Sequence, residues 1–413
     1  MDAFHYVTDE LRCESASLLT LAERFGTPTY VYSRAAILNN FQELARAISR
    51  IPSLICYSVK ANSNLKILRL LRDAGAGFDV VSGGELARAM RVAADPERIV
   101  FSGVGKTADE IDAGLAAGIL MFNIESAGEL DVVEQRGRAQ GKRAPVSIRV
   151  NPDVVAETHP YISTGQIVHK FGVPKEEAVE LYRRAALSAW LEVRGVACHI
   201  GSQILEVEPF LKALDEILSV AQGVRAEKIE PQYLDIGGGF GIRYADEQPL
   251  AVAELFAGLA ARLDGSPYRL VIEPGRAIVG NAGALVARVL YVKRHQQKNF
   301  IVVDAGMNDL MRPTLYGSYH EIVPVTRRPA ELLTADVVGP LCETGDFLAQ
   351  DRVMADVEPG DLLAILTAGA YGYVLASNYN TRPRPAEVLI DGDRAELIRP
   401  RERLEDLMAG EIL

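Results

Sequence analysis

Short apolar runs alternate along the first two-thirds of the chain with longer stretches whose apolar positions recur at helical spacing. The runs are "LICYSVK" (54–60), "GFDVVS" (77–82), "RIVFSG" (98–103), "ILMFNI" (119–124), "PVSIRV" (145–150), "GVACHI" (195–200), "QYLDIG" (232–237) and "RLVIEPG" (269–275). They are rich in β-branched and aromatic residues and predict strands. Stretches such as "NLKILRLLRDAGA" and "GELARAMRVAA" predict helices between them. Regular strand–helix alternation implies parallel strands joined by crossover helices. Eight such units predict a TIM (β/α)8 barrel; an open doubly wound sheet is the alternative. After about residue 280 the pattern becomes strand-like with turns and little helical period, as in "DVVGPLC" and "DLLAILTAGAYGYVLAS". The expected organisation is a barrel over 27–280, with "TPTYVYS" leading into it. A C-terminal all-β domain, a Greek-key-like barrel or sandwich, follows over 281–413, and residues 1–26 pack on it.

Length agrees with two cores, since 413 residues exceed what one core usually organises. The net charge of −11 argues against nucleic acid or an anionic membrane as partner. No uninterrupted apolar run reaches bilayer length, and the acidic opening "MDAFHYVTDELR" is unlike a signal peptide. Cys13, Cys56, Cys198 and Cys342 lack zinc-type spacing, which leaves no metal site and suggests a reduced, cytoplasmic setting.

Chemistry gathers at the C-terminal ends of the predicted strands, where barrel enzymes place their sites. Lys60 ends the first strand, Asp79 and Ser82 lie on the second, Arg149 on the fifth and His199 on the sixth, before Ser202. "GGGFG" (237–241) follows the seventh, and Glu273, Gly275 and Arg276 of "EPGR" follow the eighth. Each has a plain reading alone: a solvated lysine, a core histidine, a tight turn, a helix cap. Together on one rim they fit a carbonyl cofactor, with Lys60 as the imine-forming amine. The glycines Gly237, Gly238 and Gly239 would form an anion nest. His199 would lie flat on an aromatic ring, and Glu273 would face a protonated ring nitrogen. Those are the handles pyridoxal 5'-phosphate needs. The second domain adds Arg312, Tyr316 and Glu343, which together with Arg276 would suit the zwitterionic end of an amino-acid substrate.

The runs "YSVKANSN", "FDVVSGGEL", "CHIGSQI", "LDIGGGFG", "IEPGRAIVG", "VDAGMNDLMRPTLYGSYHEI" and "CETGDFLAQD" resemble diaminopimelate decarboxylase. That family belongs to the fold-type III pyridoxal-phosphate enzymes, with alanine racemase and the eukaryotic-type ornithine decarboxylases. The resemblance spans nearly the whole chain and rests chiefly on "MNDLMRPTLYG" together with "CETGD". It implies decarboxylation of meso-2,6-diaminopimelate to L-lysine and carbon dioxide, the last step of lysine biosynthesis, by a homodimer with shared active sites. Lys60 resembles the cofactor-linked lysine, His199 the stacked residue and Glu273 the ring-nitrogen partner. Asp79, Arg149, Ser202, Gly237, Gly238, Gly239, Gly275, Arg276 and Tyr371 are the remaining cofactor contacts it implies. Arg276, Arg312, Tyr316, Glu343 and Tyr371 resemble the substrate contacts. Cys342 resembles the proton donor, reaching in from the partner subunit with Glu343. "FSGVGKT" (101–107) departs from the Asn-rich form of that loop in many relatives.

An ornithine/arginine-type or carboxynorspermidine decarboxylase of the same fold is the nearest alternative. A racemase lacks "CETGD", and single-domain barrel proteins that only carry the cofactor lack the second domain.

Overall fold

The computed structural model describes residues 3–154 and 170–412. These divide into two compact units. One holds residues 41–242 and 248–275; the other holds 1–40, 243–247 and 276–413.

The first unit is a closed barrel of eight parallel strands. In chain order they are Ser53–Ser58, Gly77–Val80, Ile99–Phe101, Met121–Ile124, Ala144–Arg149, Leu191–Ala197, Tyr233–Asp235 and Arg269–Ile272. Residues such as Phe78, Val100, Phe122, Ile148, Leu234 and Leu270 are fully buried. Barrel strands lie between an inner core and an outer layer of helices, so their runs are continuously apolar rather than alternating. Polar residues at the rim start several of the helices that follow the strands. Asn64 caps Leu65–Asp73, Thr107 caps Ala108–Ala117 in a capping box with Glu110, and Ser126 caps Ala127–Gln140. These caps satisfy otherwise orphaned N–H groups at the helix starts.

Six of the eight observed strands are shorter than the apolar runs; Ala144–Arg149 equals its run in length and Leu191–Ala197 exceeds it. Ser82 is not on a strand: its Oγ accepts the Glu85 N–H and caps the helix Gly83–Arg91. Lys60 likewise sits in a single 3-10 turn, Val59–Ala61, after its strand, and His199 lies two residues beyond Ala197. The extra extended residues form the rim, where the chain turns and ladder pairing ends.

The second unit is built on a mixed sheet. Its strand order is Phe347–Ala355, Leu332–Val338, Asn299–Val303, Gly283–Arg294, Thr29–Ser33, Ala386–Asp391, Arg394–Arg399. Strand Thr29–Ser33 precedes the helix Arg34–Ala47 and the first barrel strand along the chain, and pairs antiparallel with Gly283–Val286 and parallel with Ala386–Ile390. The N-terminal meander Phe4–Val7, Glu10–Cys13 and Ala16–Ser17 shares this unit's core, where Leu11, Leu18 and Leu21 join Val31, Val286, Leu362 and Val388. No helix among the described residues is long and apolar enough to cross a membrane.

Candidate active site

The barrel rim is a buried polar network around Lys60. The Lys60 ammonium meets Asp79 Oδ2 at 2.7 Å, and Asp79 is wholly buried. Ser58 Oγ lies 2.9 Å from the same oxygen and 2.8 Å from the Glu273 carbonyl. Lys60 is therefore oriented by a buried carboxylate, while its side chain remains 37% exposed. Beneath it, Asn123 Nδ2 donates to Ser102 Oγ at 3.1 Å and to Asp235 Oδ2 at 3.0 Å, and Ser102 Oγ lies 3.3 Å from Glu273 Oε1. Burial pushes the Glu273 carboxyl well above its usual range, and the nearby Asp235 and Asp79 carboxylates push it further. Burial also raises Asp235, to about 6. Glu273 is thus a carboxyl short of cationic partners.

Two loops cross over this network. Gly238 N–H donates to His199 Nδ1 at 3.3 Å, and Gly237 N–H donates to Asp235 Oδ1 at 2.9 Å. Gly237 and Gly239 have φ of +70° and +94°, conformations that favour glycine. A Cβ on Gly238 would fall 2.1 Å from the Glu273 carbonyl oxygen, and one on Gly239 would fall 2.2 Å from that of Gly201. The run is glycine because backbone approaches backbone. Burial, then the charges of Arg149 and Lys60, hold His199 well below its usual pKa, so the ring is a neutral flat surface. Ser202 follows in the same rim loop.

Arg149 ends its strand with Nη1 3.1 and 3.2 Å from the two Glu125 oxygens. Its Nε and Nη2, though buried, meet no acceptor among the described residues. Glu125 also accepts from the Gly103 and Gly172 N–H groups, and Glu129 Oε2 accepts the Glu125 N–H. Lys106 closes this chain: its fully buried ammonium meets Glu129 Oε1 and the carbonyls of Gly103 and Asn123, each at 2.7 Å. The "FSGVGKT" loop therefore anchors the rim. Lys106→Met strands Glu129 as an uncompensated buried charge and should cost about 3–5 kcal/mol of barrel stability in urea unfolding. A loss under about 1 kcal/mol would contradict this role.

Glu85 adds a pH dependence. Burial raises its carboxyl to about 7, with Asp79 adding to the rise and the Val81 N–H opposing it. The folded value exceeds the unfolded one, so the stability from this group is full below about pH 4.5 and is lost as pH rises through 7. Glu85→Gln should flatten the fall of the urea midpoint between pH 5 and 8. Parallel wild-type and variant curves would contradict the assignment.

The second unit holds a cluster of arginines and tyrosines. Arg276 opens the short helix Arg276–Val279; its Nη1 donates to Tyr244 Oη at 2.6 Å, and its guanidinium lies 5.0 Å from the Tyr371 ring centre. Arg312 opens the helix Arg312–Tyr316 and lies 4.7 Å from the Tyr244 ring centre. Its Nη1 meets His320 Nε2 at 2.8 Å and its Nη2 meets Ser318 Oγ at 3.3 Å. Arg312 is 5% exposed, and its partners among the described residues, His320, Ser318 and the Tyr244 ring, include no carboxylate. Tyr316 closes the Arg312 helix. Tyr371 has φ of +54°, an uncommon conformation for an aromatic residue. Cys342 and Glu343 are exposed; Cys342 N–H donates to Asn380 Oδ1 at 2.8 Å, and Tyr379 Oη reaches Glu343 Oε2 at 3.3 Å.

Comparison with known proteins agrees with this chemistry. Residues 34–280 match the pyridoxal-dependent decarboxylase family, pyridoxal binding domain. A diaminopimelate decarboxylase of Pseudomonas aeruginosa is 51% identical over 413 residues, covering 100% of this chain and 99% of its own. The chain belongs to the diaminopimelate decarboxylase family. The crystal structure of diaminopimelate decarboxylase from M. jannaschii in complex with L-lysine matches with a TM-score of 0.95 at 36% identity, over 100% of this chain and 98% of that one. The Helicobacter pylori diaminopimelate decarboxylase complexed with L-lysine matches at 0.92 and 43% identity, over 95% and 98% of the two chains.

As a member of this family, the chain is a pyridoxal-phosphate-dependent amino-acid decarboxylase. The barrel residues fit that cofactor on two counts. Glu273 offers a buried carboxyl to a protonated ring nitrogen, and Arg149 holds two unused donors. The Gly237–Gly239 turn brings backbone N–H groups to the same rim, two of them donating to Asp235 and His199. Asp235, Asn123, Ser102, Glu125, Tyr244 and His320 escaped the sequence reading. Only Asp235, two residues before the glycine run, carried a local signal.

Proposed function

We propose that the chain converts meso-2,6-diaminopimelate to L-lysine and carbon dioxide, with the following division of labour. Lys60, His199, Glu273, Arg149, Asp79, Ser202, the Gly237–Gly239 turn, Gly275, Arg276 and Tyr371 hold pyridoxal phosphate. When bound, that cofactor supplies an aldehyde for the substrate amine and a ring that accepts the electron pair left by departing carbon dioxide.

Asp79 keeps Lys60 oriented, and neutral His199 offers its flat face without repelling a cationic ring. Glu273, relieved of its charge deficit by a protonated ring nitrogen, keeps the proton on that atom. Arg276 and Arg312, with Tyr316 and Tyr371, take the distal carboxylate, and Glu343 takes the distal ammonium. The scissile carboxylate leaves as carbon dioxide, and the electron pair remains at the α-carbon. Cys342 Sγ–H delivers the proton that replaces it. Cys342 and Glu343 act from the partner subunit of a homodimer, which accounts for their exposure on a single chain. Four free cysteines suit a reduced, cytoplasmic setting.

The observation that carries the substrate assignment is Arg312, a buried guanidinium whose partners His320, Ser318 and Tyr244 are all uncharged. It keeps its full charge for a substrate carboxylate. Ornithine, arginine and lysine offer only a cation at that end, which leaves the clamp unpaired or repelled. Purified protein with added pyridoxal phosphate should therefore release carbon dioxide from meso-diaminopimelate and not from ornithine. Faster release from ornithine would overturn the assignment.

A further inference from the structure

His320 is wholly buried beside Arg312, and its tautomer is set by its neighbours. Its ring nitrogens make two contacts of 2.8 Å, Nε2 with Arg312 Nη1 and Nδ1 with the Leu366 carbonyl oxygen. Guanidinium groups only donate and carbonyl oxygens only accept. Nδ1 must therefore carry the proton and Nε2 must present its lone pair. A proton on Nε2 would bring two donors face to face.

The rest of the surroundings oppose a charged ring. Arg352 Nη1 donates to the His320 backbone carbonyl at 2.9 Å, and the Tyr244 ring meets the imidazole edge-on at 5.5 Å. Burial first, then the Arg312 charge, lower His320 to about 3. The groups facing this ring are thus Arg312, Arg352, Tyr244 and, through Tyr244, Arg276.

We propose that His320 is a positioning residue: as a neutral Nδ1–H imidazole tied to the Leu366 carbonyl, it aims the Arg312 guanidinium at the substrate's distal carboxylate without neutralising it. This rests on reading Arg312 as part of the carboxylate clamp. An aspartate or glutamate in this place would orient Arg312 equally well but would compete with the substrate for its charge. A hydrophobic residue would leave the guanidinium to sample rotamers and lose that freedom on binding. A neutral acceptor on a fixed backbone anchor avoids both costs, and imidazole provides acceptor and anchor in one rigid ring.

The test is calorimetric binding to the holoenzyme of L-lysine and of 1,5-diaminopentane, the same chain without a carboxylate. A side-chain amide can mimic either ring nitrogen. His320→Gln places an acceptor near the Nε2 position, whereas His320→Asn reaches only the Nδ1 position. His320→Asn should weaken lysine about 10- to 100-fold, the loss of one charge-assisted hydrogen bond, and leave the diamine unchanged. His320→Gln should recover most of the lysine affinity. Equal losses for both ligands, or an unchanged lysine affinity in His320→Asn, would overturn the proposal. Arg312→Ala separates the two levels of the reading: if it too leaves lysine affinity intact, the clamp itself is wrong. Should the His320 variants fail to fold, 15N-histidine spectra of the wild-type holoenzyme decide. A neutral Nδ1–H ring at position 320 from pH 6 to 8 supports the proposal, and an imidazolium or the other tautomer overturns it.

Discussion

Lys60→Ala should abolish decarboxylation, with turnover falling on the order of 10^4-fold or more, as when a catalytic nucleophile is removed. It should also remove the visible absorption band of the loaded protein. Two consequences of the substitution must be separated. Lys60 is the amine for the cofactor aldehyde, and it is also the cation beside the wholly buried Asp79 carboxylate. Lys60→Ala therefore lowers stability as well as activity. Lys60→Arg resolves them, because a guanidinium keeps a charge near Asp79 Oδ2 but stays protonated and forms no imine. The expected result is near-normal unfolding by urea, no visible band and no turnover. Activity surviving in Lys60→Arg would mean that the lysine serves only as an ion-pair partner.

Arg312→Ala has the second largest expected effect. Arg312 is buried with neutral hydrogen-bond partners and lies near the Arg276 guanidinium, so no carboxylate offsets its charge. Truncation leaves the substrate's distal carboxylate without its partner, at a cost of about 2–4 kcal/mol. That corresponds to a loss of roughly 30- to 700-fold in kcat/KM for meso-diaminopimelate. The loss should appear mainly in KM, because the distal end binds alike before and during loss of carbon dioxide. Arg312→Lys should recover only part of it, since an ammonium is a point charge and cannot fork onto a carboxylate. A drop confined to kcat, with KM unchanged, would place Arg312 at the reacting carbon instead.

The barrel was legible in the sequence because parallel strands covered on both faces must be continuously apolar. Phe78–Val80, Met121–Ile124 and Leu270–Ile272 read as strands for that reason. Their ends were less legible, because rim residues such as Val81, Cys198 and Pro274 extend the same apolar texture past the last ladder bond. The sheet partners of strand Thr29–Ser33 were not legible, because Gly283–Arg294 and Ala386–Asp391 lie far along the chain and leave no local trace. The site divides along similar lines. Lys60, the glycine turn and Glu273 stand in compact motifs, where spacing along the chain is also spacing in the fold. Tyr244 and His320 matter through what they touch. Nothing near Tyr244 in sequence signals that its hydroxyl receives the Arg276 guanidinium or that its ring faces Arg312.

Borohydride reduction of the pyridoxal-phosphate-loaded protein, followed by digestion and peptide mass mapping, tests the covalent link directly. One pyridoxyl-phosphate adduct should be found, on the peptide containing Lys60, and it should be absent when meso-diaminopimelate is present in excess before reduction. An adduct on another lysine, or none at all, would contradict the account.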